Sequence, residues 1–427
     1  MNPKVLIISP YFAPSNAADT HRIRMSLPYF AQHGWDAEVV IVNQKHAELM
    51  KDELLKQSIP ADIKIHEVSA FDKKWTAKFG LGSLALRSMW FYKQKVNQLL
   101  KAQQYDLIYF STTQFPLCIL GAYWKKRFGI PYVIDMQDPW HSDYYQDKPK
   151  NQRPPKYWFS YRLNKYLEPL AMKHVDGLIS VSPAYLSVLQ NRYARIARVP
   201  SSVITFGVLE ADFAIAKSNT HLFKELLNPG KVNVVYVGRG GADMQKALSL
   251  LFEALQKGLQ EEPSLFKQLH FYFIGTSYAP SGQGSPTILP IAKKYQVQEH
   301  VTEITDRISF YHTLLSLQQA DALFIPGSDD PQYTASKIYP YLLCKKPLLA
   351  IFNQNSNAID VINGCSTNAT LINFSDQDIG TKLSAVLTDW ANRSLAPLEL
   401  TPHIKKYSAA HITLRQTELF NKVIHQR

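Results

Sequence analysis

The sequence predicts an α/β protein built from two Rossmann-like, doubly wound parallel sheets, and three observations predict it. Short β-branched apolar runs alternate with longer amphipathic stretches from one end of the chain to the other, as strands alternate with helices in parallel α/β folds. The runs are almost continuously apolar, which is expected of strands covered on both faces. The pattern also restarts beyond residue 210, and 427 residues are enough for two domains of roughly 100–200 residues each.

In order, the first set of runs occupies 5–8, 38–42, 107–110, 132–135 and 177–181, and 203–208 reads as a last short strand or the hinge itself. The second set occupies 232–237, 270–274, 322–325 and 347–351. Between them, residues 213–230 are polar and close on Asn228-Pro229-Gly230, a turn signal. The expected domains are therefore 1–210 and 211–400. The tail, 401–427, carries Leu414, Leu419, Phe420 and Val423 at helical spacing and is expected as a terminal helix.

Composition removes other classes. With 46% hydrophobic and 19% charged residues, the chain is neither disordered nor fibrous. Cys118, Cys344 and Cys365 are odd in number and widely spaced, so neither a disulfide framework nor a cysteine zinc site is expected, and a reducing compartment fits. The first apolar run is too short for a signal-peptide core, and no run is long enough for a membrane span. Charge is uneven: residues 1–200 hold 27 Lys+Arg against 16 Asp+Glu, whereas 201–427 hold 20 against 19. A basic first half fits an anionic partner or a lysine-rich solubilising surface. No nucleic-acid module is visible.

Ligands of open parallel sheets bind beyond the carboxyl ends of the strands, which directs attention to four loops. After the first run comes Ser9 to Asp19, then a helical segment with His21, Arg22 and Arg24, suited to an anion or simply a long capped turn. After the fourth run, Asp138, Trp140, His141 and Asp143 combine carboxylates with a stacking ring and a histidine. Asp138 is the first choice for a general base or a hydroxyl-binding carboxylate, although Asp-Pro also makes ordinary turns. In the second half, Gly238-Arg239-Gly240-Gly241 precedes a helix with Lys246 in its first turns. That is a phosphate-cradle pattern, weak by itself because Asp243 stands where a third glycine would be. Last, the segment from Ala320 to Leu342 carries Asp329, Asp330, Thr334, Ser336 and Lys337 between a strand and a helix, a second anion site. Gly80-Leu81-Gly82 follows no strand, Gly275-Thr276-Ser277 misses a nucleophile elbow, Asp376-Gln377-Asp378 is too common a triplet to mean metal, and no H-x-x-x-H pair occurs; no metal site is expected.

Together these residues resemble the retaining glycosyltransferases of the GT-B fold, family 4 type. The resemblance rests on Ile8 to Pro14 with Arg22, His33-Gly34-Trp35, Asp135 to Trp140 and Val175 to Ser182. In the second half it rests on Tyr236 to Arg239, Ala320-Asp321-Ala322, and Ser336 to Leu342 with Lys346-Pro347. It implies a nucleotide-sugar donor on the second domain, an acceptor on the first with a cleft between them, a C-terminal helix returning to the first domain, and no cofactor or metal. On that basis Arg239, Gly240, Lys246, Thr334, Ser336 and Lys337 hold the donor diphosphate. Gly275, Thr276, Asp330 and Tyr341 approach base and ribose, Asp138 and Asp329 are catalytic, and Tyr11, Asn16, Arg22, Trp140 and His141 face the acceptor.

The family's two glutamates fall at Gln332 and Pro340, its lysine after the arginine at Met244, and its paired glycines at Asn16-Ala17-Ala18. The implied activity is sugar transfer from a nucleotide diphosphate to a glycan or lipid-linked acceptor in bacterial surface polysaccharide assembly, in the cytoplasm or at the inner membrane face. The alternatives are a same-fold nucleotide-sugar epimerase and a non-catalytic nucleotide-sugar-binding partner of another transferase. Residues 73–101, with Lys73, Lys74, Lys78, Arg87, Lys93 and Lys95 among Trp75, Phe79, Leu81, Trp90 and Phe91, are either a surface for anionic membrane or an amphipathic helix packed on the first sheet.

Overall fold

The computed structural model describes residues 2–143, 145, 146, 149, 150, 153, 157–329 and 338–426. The chain forms two compact units, one of residues 1–207 with 407–427 and one of residues 208–406.

The first unit contains a sheet of β1 (Lys4–Ile8), β2 (Asp36–Val42), β3 (Lys64–Val68), β4 (Leu107–Ser111), β5 (Tyr132–Met136), β6 (Gly177–Ser180) and β7 (Ser201–Val203). Their order is β3-β2-β1-β4-β5-β6-β7, and every pairing is parallel. Its helices are α1 (Ala18–Ser26), α2 (Lys73–Thr76), α3 (Leu84–Ala102), α4 (Ile119–Phe128), α5 (Tyr157–Met172) and α6 (Pro183–Arg192). Strand β1 is buried from Val5 to Ile8 and β4 throughout, because helices cover both faces. On one face Phe110 of β4 stacks on Trp124 of α4 at 6.0 Å.

The second unit contains α7 (Ala211–Ser218), β8 (Val232–Val237), α8 (Gln245–Glu261), α9 (Pro263–Phe266), β9 (Leu269–Ile274), α10 (Leu289–Lys294), β10 (Val301–Ile304), α11 (Phe310–Gln319) and β11 (Ala322–Pro326). It continues with α12 (Ile338–Leu343), β12 (Leu348–Phe352), α13 (Asn357–Cys365), β13 (Thr370–Asn373) and α14 (Ile379–Ala391). The parallel sheet runs β10-β9-β8-β11-β12-β13. The predicted fold class, two Rossmann-like parallel-sheet domains, is the observed one.

The last helix, α15 (Ala409–His425), belongs to the first unit. Its Phe420 ring lies 5.4 Å from Trp35, 5.0 Å from Tyr109 and 6.2 Å from Phe30, and Trp35 Nε1 donates to Asn421 at 3.1 Å. A fully buried phenylalanine contributes roughly 1.5–3 kcal/mol, which fastens the tail to the sheet. Serines begin several helices by accepting a backbone N–H: Ser83 for α3, Ser182 for α6, Ser309 for α11, Ser356 for α13 and Ser408 for α15, a cap contributing about 1 kcal/mol.

Three strands have no counterpart among the apolar runs: β3, β10 and β13. All are sheet edges, and their sequences carry Lys64, His66 and Glu67, or Thr302 and Glu303, or Thr370 and Asn373. Covered on fewer sides, they do not need continuous apolar faces. Segment 73–101 is likewise not one helix. After α2, a 3-10 turn at Ala77–Phe79 ends at Gly80 with φ 76°, a left-handed conformation suited to glycine, and α3 starts only at Leu84.

Candidate functional site

Each sheet has one point where its strand order reverses, between β1 and β4 in the first unit and between β8 and β11 in the second. The loops leaving these strands are where a doubly wound sheet takes ligands.

In the second unit the β8 loop is built for close approach. Gly240 N–H, expected on the donor diphosphate, instead donates to Thr276 O at 2.8 Å, and a Cβ on Gly240 would lie 2.2 Å from Thr287 Oγ1, so a larger residue would have to turn that side chain aside. Arg239 grips Asp243 with both guanidinium nitrogens, Nη1 to Oδ1 at 2.8 Å and Nη2 to Oδ2 at 2.5 Å. Ser328, from the β11 loop, donates to the same carboxylate at 2.6 Å, and Asp329 N–H donates to Asp243 O at 2.8 Å. The Arg239 hydrogen bonds, helped by Ser328, hold the Asp243 carboxyl at about 2. Asp243, which breaks the glycine pattern, thus ties the two switch-point loops together.

Lys246 is exposed in the first turn of α8, its Nζ 4.6 Å from the centre of the Phe374 ring. An open cavity of about 380 Å³ is lined by Ala242, Gln245, Lys246, Ser249, Glu253 and Asp329. Gln245 and Ser249 carry no motif and were not legible in the sequence. Asp330, Gln332, Thr334, Ser336 and Lys337 lie outside the described residues.

The expected base and ribose contacts are held by the fold itself. Gly275 has φ 76° and its N–H meets Ile304 O. Thr276 is buried and its hydroxyl donates to Glu303 at 2.7 Å. Glu303 also accepts the N–H groups of Thr287, Ile288 and Leu289, so one carboxylate on edge strand β10 fixes the Gly240 neighbour Thr287 and the start of α10. Tyr341 is buried, its hydroxyl accepting from Val237 N–H at 2.7 Å and donating to Val237 O at 3.1 Å.

In the first unit, Asn16 Oδ1 meets His21 Nε2 at 2.8 Å, and Tyr11 packs against the core with its phenol raised by burial, then by Asp19. Arg22 is fully buried. Its Nε and Nη2 reach Asp135 at 2.7 and 3.3 Å, and it donates to Ile204 O and Thr205 O at 2.8 Å. Tyr109 adds a hydrogen bond to Asp135 at 2.8 Å. The charge expected to face a ligand is therefore spent inside the domain. Trp140 turns inward too, stacked on Phe115 at 5.5 Å with Nε1 donating to Asn164.

Asp138 projects from the same loop and is exposed, yet the surrounding protein removes enough water to raise its carboxyl; burial, then the Asp138 charge, raises the Tyr185 phenol. Next to it, His141 is buried, its ring 4.8 Å from Tyr161, and its backbone N–H donates to Glu168 at 3.0 Å. Burial, then Arg192, lowers the imidazole. The structure thus gathers Asp138, Trp140 and His141 beyond β5, and Tyr11, Asn16 and Arg22 beyond β1, two strands away on the same sheet. Among the described residues no cluster of three metal-ligating side chains occurs, and no helix is long and apolar enough to cross a membrane.

Residues 28–208 match the model of Glycosyltransferase Family 4. No curated protein matches the chain. Among solved structures, the chain is similar to sucrose-phosphate synthase from Thermosynechococcus elongatus, at 14% identity, TM-score 0.57 and full coverage of both chains (100% and 100%). It is similar to a glycosyltransferase from Rickettsia africae ESF-5, at 13%, TM-score 0.57 and 100% of both chains. It is also similar to a variant of S. aureus TarM in complex with fondaparinux, alpha-GlcNAc-glycerol and UDP, at 11%, TM-score 0.54, covering 99% of this chain and 100% of that one. At these identities the likeness is one of fold, and the fold is GT-B.

Proposed function

We propose that this chain is a glycosyltransferase that moves a sugar from a nucleotide-diphosphate donor to a glycan or lipid-linked acceptor in bacterial surface polysaccharide assembly, on the cytoplasmic side of the membrane. The observation that carries the reading is the second switch point, where Arg239 presents a guanidinium fork and Ser328, from the loop that leads in sequence to Thr334, Ser336 and Lys337, meets the same carboxylate. The match of residues 28–208 to a glycosyltransferase family supports it, as does the UDP named with one structural neighbour.

In this reading the diphosphate takes over from Asp243 as the partner of Arg239. Arg239, Lys246 and Lys337 oppose the charge that grows on the leaving diphosphate as the glycosidic bond breaks, an electrostatic contribution that needs no proton transfer to the leaving group. Asp138, raised by its surroundings, serves the acceptor hydroxyl. Asp329 lines the donor-side cavity and shields the oxocarbenium-like face. Retention of configuration and metal independence follow from the resemblance to family 4 transferases.

The test is calorimetric titration with UDP, GDP, ADP, TDP and CMP in EDTA, repeated on Arg239→Ala and Lys337→Ala. One diphosphate is expected to bind without metal, and each variant to weaken it by roughly tenfold or more, the worth of a charge-assisted hydrogen bond. Unchanged affinity in both variants refutes the site. A second reading, a non-catalytic nucleotide-sugar-binding partner, is favoured by the uncharged Gln332 and Pro340; it predicts binding without turnover on any acceptor.

A further inference from the structure

The first unit exposes large aromatic side chains in one region. Of the seven tryptophans, Trp75, Trp90 and Trp158 are exposed among the described residues, at 69%, 51% and 65%. Phe79 at 77% and Leu81 at 44% lie beside them in the chain, and Tyr166 is 68% exposed on α5.

Two segments far apart in sequence make this one face. The α2 turn and α5 touch at Gly80, where a Cβ would stand 3.0 Å from the Phe159 ring. Phe71, just before α2, lies 6.2 Å from Trp90 of α3. On α5, Trp158, Arg162, Tyr166 and Leu170 recur every fourth residue, so they share one side of the helix, and all four are exposed. The Leu84 and Arg87 side chains, by contrast, are buried, Arg87 donating to Phe71 O and His46 O, and so leave the face.

Cations are interleaved with these rings. Lys78 Nζ lies 5.2 Å from the centre of the Trp75 ring, and the Arg162 guanidinium 5.9 Å from that of Trp158. Lys73, Lys74 and Lys165 are exposed on the same elements. Among the described residues the nearby carboxylates are Asp72, which caps α2, Glu48, paired with Lys73, Asp143, which accepts the Tyr161 hydroxyl, and Glu168, buried against Arg192, fewer than the cations. Tryptophan and phenylalanine beside lysine and arginine match a bilayer surface whose headgroups are negative, where rings enter the acyl boundary and cations meet phosphates.

We propose that Trp75, Phe79, Leu81 and Trp158, ringed by Lys73, Lys74, Lys78, Arg162 and Lys165, form a docking face for an anionic lipid bilayer. This goes beyond the transfer reaction and includes α5, which no apolar-basic pattern in residues 73–101 contains. It rests on the reading of a membrane-side acceptor only for its biological use, not for its physical argument.

The experiment is flotation of the whole chain with phosphatidylcholine vesicles, with and without 30% phosphatidylglycerol as a roughly chosen anionic fraction, alongside tryptophan emission. The expected result is binding that needs the anionic lipid, weakens with salt and shifts emission to the blue. Trp75→Ser with Trp158→Ser, and separately Lys78→Glu with Arg162→Glu, are expected to lower partition by roughly tenfold or more. Thermal melts and nucleotide titration accompany each variant, so a lost fold or a lost donor site is told apart from a lost lipid face. No binding to anionic vesicles overturns the proposal, as does binding that both variants leave intact. A dimer in light scattering that the serine variant makes monomeric overturns it in favour of a second copy of the chain.

Discussion

Replacing Asp135 with asparagine separates a structural from a ligand-binding role for Arg22. Both side chains are completely buried, and Asp135 accepts Arg22 Nε, Arg22 Nη2 and the Tyr109 hydroxyl at 2.7, 3.3 and 2.8 Å. Asparagine offers one acceptor oxygen to those three donors and turns an amide N–H₂ toward the guanidinium. Arg22 keeps Ile204 O and Thr205 O, but its charge is then buried without a counterion. Breaking such a pair costs about 3–5 kcal/mol, a large share of the 5–15 kcal/mol that typically holds a domain together. With a urea slope of about 2–3 kcal/mol per molar, the midpoint falls by roughly 1–2.5 M.

Tryptophan fluorescence is a fitting probe, since of the seven tryptophans only Trp390 lies in the second unit. The double variant Arg22→Met with Asp135→Leu removes the stranded charge and is expected to recover much of the loss, a coupling of about 2 kcal/mol or more. The reasoning fails if Asp135→Asn unfolds within about 1 kcal/mol of wild type. Loss of acceptor turnover at unchanged stability would instead make Arg22 a ligand contact.

Other perturbations test different parts of the molecule. Glu38 is almost fully buried and accepts Tyr105, His66, Gln103 and Lys4 at 2.6, 2.8, 3.0 and 3.4 Å. Burial opposes its charge, but these partners win and bring its carboxyl down to about 2. Because the folded value lies below the unfolded one, the stabilisation is complete above about pH 5 and fades as pH falls toward 2; the stability gap between wild type and Glu38→Gln, up to about 3 kcal/mol, should close over that window in urea titrations. Gly121→Ala places a Cβ 2.6 Å from the Tyr132 ring, and the resulting strain of about 1–3 kcal/mol outweighs the helix propensity gained, so a lower urea midpoint is expected. Asp243→Asn removes an anion from beside the donor cations, and the preferred nucleotide diphosphate should bind several-fold tighter in low salt; weaker binding would mean that Asp243 positions Arg239 for the ligand.

Central strands were legible because both their faces are covered, so β1, β4, β5, β8, β9, β11 and β12 had to be apolar almost throughout. Edge strands β3, β10 and β13 escaped because one side of an edge is open and polar residues serve there. The same geometry hid Glu303, whose edge position gives no sequence signal although it fixes both Thr276 and Thr287. The glycine loop at 238–241 and the Asp138 loop were visible, since glycine and clustered carboxylates after a strand are rare enough to notice.

Residue type and spacing therefore determined where strands end and which loops carry charge. Only the tertiary structure decided which charges are available. Arg22, Arg239 and Arg87 look alike in sequence, yet one is a buried strut, one a half-buried fork on Asp243, and one a buried bridge to backbone carbonyls. An arginine's role is set by whether a carboxylate or carbonyl lies within about 3 Å of it, and those partners come from segments up to 183 residues away. The exposed aromatic face had the same origin: spacing along α5 was local, but its meeting with the α2 turn at Gly80 and Phe159 depended on how the chain returns to the sheet.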